Sequence, residues 1–84
     1  MFVDKQILTD TLLKYLNHKI SLKELVNWAE EMIREGDFDK ANFELIRDIL
    51  GHLGLADVKE FGLSWEDCWE FLHRLGYTVT VNIS

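Results

Sequence analysis

Apolar residues recur every three or four positions from Leu8 to Leu75, and not one proline interrupts them. That period gathers apolar side chains on one face of a helix, so the chain has to stack amphipathic helices whose stripes bury one another. The five glycines, at 36, 51, 54, 62 and 76, mark helix ends rather than flexible linkers. With 84 residues and a single cysteine, no intramolecular disulfide is available and helix packing has to supply the stability. The expected fold is mostly α: one domain, residues 1–84, built as a compact bundle of four helices with a short C-terminal β-strand.

Capping chemistry sets the boundaries. The first helix is expected over 4–17, with Leu8, Leu12, Tyr15 and Leu16 as its stripe. The second, over 21–35, has the clearest start: Ser21 as N-cap, Glu24 three residues on, and Ile20 and Leu25 as a hydrophobic staple. Such a cap contributes about 1 kcal/mol. Leu22, Leu25, Val26, Ala29, Met32 and Ile33 form its stripe, and Gly36 is expected to end it in the left-handed conformation. The third, over 39–53, starts at Asp39 with Phe38 and Phe43 as staple. It buries Phe43, Ile46, Ile49, Leu50 and Leu53, then stops at Gly54 with Leu50 meeting Leu55. The fourth, over 64–75, opens on Ser64 and Asp67 and carries Trp65, Cys68, Trp69, Leu72 and Leu75 as its stripe. It closes at Gly76, with Tyr77 placed against Leu72.

After Gly76 the period drops from 3.6 to 2. Tyr77, Val79, Val81 and Ile83 alternate with polar residues, which predicts a strand over 77–83 with one wet face. A lone strand cannot satisfy its own backbone, so this one must pair with Met1-Phe2-Val3, with a second copy in a homodimer, or with a partner.

The net charge is −6, and it is unevenly placed: residues 1–29 hold three acids against four bases, residues 30–70 twelve against four. An acidic surface keeps a small protein soluble, repels phosphate backbones and anionic lipid, and favours a basic protein partner. No apolar run is long enough to span a bilayer and the N-terminus lacks a leader pattern, so a cytoplasmic protein that binds neither nucleic acid nor membrane is expected.

No constellation of residues forms an active site. Glu66, Glu70 and His73 share one face of the fourth helix, and Glu70 to His73 has the spacing of di-metal carboxylate bundles. His18 and His52 lack a glutamate three residues before them, so a solvated face is the preferred reading and neither metal nor cofactor is expected. Cys68 lies inside an apolar stripe without a second cysteine, the pattern of a buried structural thiol, although its position near a helix start favours a lower pKa. Ser21 and Ser64 serve as caps, and Gly51-His52-Leu53-Gly54 has no phosphate-loop spacing. A recognition helix drawn through Asp39, Glu44 and Asp48 would be too acidic for DNA.

The apolar residues that miss the stripes carry more information. Trp28, Leu45 and Phe71 each lie about 100° from the centre of their stripes. Either neighbouring helices cover both flanks, or Trp28 above all stays exposed among Glu24, Glu31 and Glu35 and anchors a partner.

At Trp28-Ala29-Glu30 and at Leu63-Ser64-Trp65-Glu66-Asp67, within residues 20–75, the chain resembles small acidic helical proteins of bacteria that act as immunity proteins or antitoxins. The resemblance implies neutralisation of a toxin by acidic and aromatic groups set against its basic surface. The leading expectation is therefore a non-catalytic protein-binding module, of inhibitor or immunity type, for a basic partner. Its candidate contact residues are Trp28, Glu24, Glu31, Glu35, Glu44, Asp48, Glu66 and Glu70. The alternative is a homodimeric structural or regulatory module that pairs through the C-terminal strand.

Overall fold

The computed structural model describes residues 2–58 and 62–77. Among them lie four helices, α1 (Lys5–Leu16), α2 (Leu22–Glu35), α3 (Phe43–Gly54) and α4 (Trp65–Arg74), and two short strands, β1 (Phe2–Val3) and β2 (Asp37–Phe38). Apart from Tyr77, the strand expected over 77–83 lies outside the described residues.

Three helices start on short polar side chains that accept an otherwise unpaired backbone N–H. Ile7 donates its N–H to Asp4 Oδ1 at 2.9 Å at the start of α1. The two expected capping boxes are both closed: Glu24 N–H donates to Ser21 Oγ at 3.1 Å and Ser21 N–H to Glu24 Oε1 at 3.3 Å. Before α4, Asp67 N–H donates to Ser64 Oγ at 3.1 Å and Ser64 N–H to Asp67 Oδ2 at 3.0 Å. Asp39 caps a single 3-10 turn, Lys40–Asn42, instead of α3 itself, which begins at Phe43. The Phe38 and Phe43 rings still meet, 5.6 Å apart, as the staple requires.

The helix ends depart from expectation more often than the starts. Gly36 is extended, at φ −78 and ψ 148, because α2 runs straight into β2 and not into a left-handed cap. What that position needs is room: a Cβ would lie 2.6 Å from the Met32 carbonyl oxygen and 3.3 Å from Val3. Gly54 is the last residue of α3 without a positive φ, and the chain leaves by tighter bonds, Leu55 N–H to His52 O at 3.2 Å and Ala56 N–H to Leu53 O at 3.1 Å. Leu55 is left largely exposed. Gly76 takes φ +85 as expected, and a Schellman pair completes the end of α4: Tyr77 N–H donates to Leu72 O and Gly76 N–H to His73 O. The same pair ends α1, from Lys19 N–H to Lys14 O and from His18 N–H to Tyr15 O, but there the left-handed residue is His18, at φ +60.

Phe2 and Val3, one candidate partner for the C-terminal strand, lie alongside Asp37 and Phe38 in a parallel pair that ties the N-terminus to the segment joining α2 and α3. Val3 enters the core with Leu8 and Leu12 of α1, Leu25, Ala29 and Met32 of α2, Ile46, Ile49, Leu50 and Leu53 of α3, and Phe71, Leu72 and Leu75 of the α4 region. Trp28 and Leu45 are half-buried against it and Phe71 is buried, so of these off-stripe positions Phe71 is covered and the other two are covered in part. Four residues expected inside are exposed instead: Ile33 (45%), Phe43 (44%), Trp65 (56%) and Trp69 (43%). On α4 the buried row is Cys68, Phe71, Leu72 and Leu75, which leaves Trp65 and Trp69 roughly 70–110° from its centre at 100° per residue.

Candidate protein-interaction surface

The closed Ser64–Asp67 box fixes the first turn of α4, and Trp65 is the first residue of that turn. Its indole stands in the open with the His18 ring edge-on at 6.3 Å and 76°. Around it Tyr15, Ile20, Leu22 and Glu24 shape a shallow recess of about 510 Å³ where the α1–α2 turn meets α4. Trp69 follows one turn along the same face, while Glu66 and Glu70 form the adjacent row with the exposed His73. Two tryptophans and two glutamates thus share the outer side of one short helix.

Three groups under this face have shifted pKa values. Hydrogen bonds from the Ser64 backbone, then from its side chain, hold the Asp67 carboxyl below its ordinary value, with His52 adding to the effect. Burial, and secondarily the Asp67 charge, pushes the Cys68 thiol up to about 11, which removes the lowered pKa that its place near a helix start suggested. Tyr15 is raised as well, first by burial and then by Cys68. Cys68 is fully buried, as a structural thiol should be. Among the described residues no three His, Cys, Asp or Glu side chains converge as a metal site.

A second surface lies across α3. Ile33, Leu45, Gly51 and Leu55 line an open groove of about 840 Å³, with Glu44, Arg47, Asp48 and Arg74 among its walls. Arg74 Nη2 donates to Asp48 Oδ2 at 2.9 Å, a partly exposed ion pair linking α4 to α3. The Arg47 guanidinium stands 5.9 Å from the centre of the Phe43 ring.

The eight residues singled out from the sequence are therefore divided. Glu66 and Glu70 flank the exposed tryptophans, and Glu24 lines the Trp65 recess while closing the α2 cap. Glu44 and Asp48 belong to the groove, where Asp48 is held by Arg74. Glu31 and Glu35 are exposed on the outer side of α2 and line neither surface, and Trp28 is half-buried. Compared with protein-family models, characterised proteins and solved structures, the chain has no match. The case for a function rests on these two surfaces.

Sequence reasoning missed the exposure of Trp65 and Trp69 because both sit at stripe spacing from Leu72. The available signal was the order Trp-Glu at 65–66 and again at 69–70: on a helix it aligns two aromatic residues beside two like charges. A row that borders paired glutamates is the flank of a buried stripe and not its centre.

Proposed function

We propose that this domain is a non-catalytic protein-binding module that docks a basic segment of a partner protein on the outer face of α4, as an inhibitor of immunity type does. The observation that carries this reading is the pair of exposed tryptophans, Trp65 and Trp69, one helical turn apart beside Glu66 and Glu70. Exposed tryptophans are costly in water and dominate binding energy when a partner covers them. Indole faces also attract guanidinium and ammonium groups, which the neighbouring carboxylates can then pair. With a net charge of −6, the chain steers a basic partner toward it and repels nucleic acid. No helix among the described residues is long and apolar enough to cross a membrane. A cytoplasmic setting is the compartment this reading assumes.

The test is affinity capture at low and moderate salt, using three baits: the wild-type chain, Trp65→Ala/Trp69→Ala, and Glu66→Lys/Glu70→Lys. A basic protein held by the wild type and released by both variants supports the module. The reading is overturned if the captured partner is kept by both.

A further inference from the structure

We infer that the α3 groove is where a second copy of this chain docks, through a two-fold interface separate from the α4 face. The groove floor makes the first argument. Gly51 sits inside α3, where glycine costs about 1 kcal/mol relative to alanine. A Cβ at Gly51 would meet nothing within 4 Å among the described residues, so no neighbour there accounts for its absence. A bare backbone at an open floor serves close approach by something outside the chain. Ile33 and Leu55, both exposed large apolar residues, stand beside it, with half-buried Leu45 between helix and core.

Charge selects the occupant. The chain as a whole carries −6, yet the groove holds two acids, Glu44 and Asp48, against two arginines, Arg47 and Arg74, with His52 beside them. A basic partner gains nothing from a balanced wall, and an acidic one gains no more. A second copy of an acidic chain, repelled over most of the surface, meets no net repulsion here. Two-fold symmetry then supplies the pairing, since every contact in such an interface is made twice. Asp48 is answered by Arg74 within the chain, whereas Glu44 and Arg47 make no ion pair among the described residues. In the dimer Arg47 of each copy faces Glu44 of the other, and the apolar residues close over the two Gly51 positions.

Sedimentation of the full-length chain tests this without any partner. The wild type is expected to pass from monomer to dimer below ~1 mM. Gly51→Leu, which fills the floor, and Ile33→Lys/Leu55→Lys, which charges the rim, should each raise the dissociation constant at least roughly tenfold. Circular dichroism establishes that these variants fold. Glu44→Arg and Arg47→Glu should each weaken the dimer by placing like charges together, and the double variant carrying both should regain it. Trp65→Ala/Trp69→Ala should dimerise like the wild type, so failure here is distinguishable from failure of the α4 reading. A chain that stays monomeric to ~1 mM overturns the inference. So does a dimer that the groove substitutions leave unchanged, or a double charge swap that fails to restore it.

Discussion

The outer face of α4 and the groove across α3 both expose large apolar side chains, and they differ in the charge set around them. On α4, Trp65 and Trp69 stand beside Glu66 and Glu70, with His73 the one base in that row and Lys19 at the edge of the Trp65 recess. In the groove, Ile33 and Leu55 are bounded by two acids, two arginines and His52. The proposed basic partner would use the excess of acids on the first surface, and the proposed second copy the mixed charges of the second. Each surface also keeps a locally unfavourable residue. His18 holds a left-handed backbone next to Trp65, a conformation that costs an L-residue about 1–2 kcal/mol. Gly51 weakens the last turn of α3 with no neighbour among the described residues to justify it.

The strongest way to break this comparison is to remove the aromatic pair. Trp65→Ala/Trp69→Ala should weaken binding of the basic partner roughly 100-fold, about 3 kcal/mol, while changing unfolding stability by no more than ~0.5 kcal/mol. Calorimetric titration and urea unfolding check the two halves, and partner binding that depends on Gly51 instead would reverse the assignment of the surfaces. Salt separates them next. Raising the ionic strength from ~0.02 to ~0.5 M should weaken the α4 interaction about tenfold, because its charge is unbalanced, and move the dimer constant by less than about twofold.

Smaller effects sharpen the role of the two unfavourable residues. His18→Gly keeps both Schellman hydrogen bonds and should stabilise the fold by about 1 kcal/mol. Gly51→Ala should stabilise it by roughly 0.5–1 kcal/mol. Chemical denaturation measures both, and loss of stability in either variant would mean that the native residue is there for packing. Acid unfolding gives the smallest effect. Asp67 has its pKa lowered from 3.8 by the Ser64 hydrogen bonds, so its contribution is present above that value and is lost as the pH falls below it through the folded-state pKa. The stability gap between wild type and Asp67→Asn should therefore narrow below pH 3.8. A gap that stays constant through that range would show that the carboxylate charge adds nothing to the cap.

Helix number, order and most starts were legible in the residues themselves. Ser21 with Glu24 and Ser64 with Asp67 are closed within four residues, and Gly76 ends α4 through bonds no longer than five residues in sequence. Cys68 was legible as buried, since it falls between Phe71, Leu72 and Leu75 on one row of α4. The site was legible only in part: Glu66 and Glu70 were singled out, and Trp28 was preferred over the tryptophans that in fact stand beside them. From α2 alone nothing distinguishes a flank that a neighbour covers from one that it leaves open.

The sequence by itself determined where α1, α2 and α4 begin, most of the side chains that face inward and the overall negative charge, because these depend on side chains within a turn or two of one another. Tertiary structure alone decided that Trp28 is covered in part and Trp65 left exposed, and that Gly36 is extended against Val3. It likewise decided that Phe2 and Val3 pair with Asp37 and Phe38, and that Arg74 answers Asp48 across α3. Each of those outcomes is set by atoms from a distant part of the chain, whose arrival depends on how the helices stack and not on any local period.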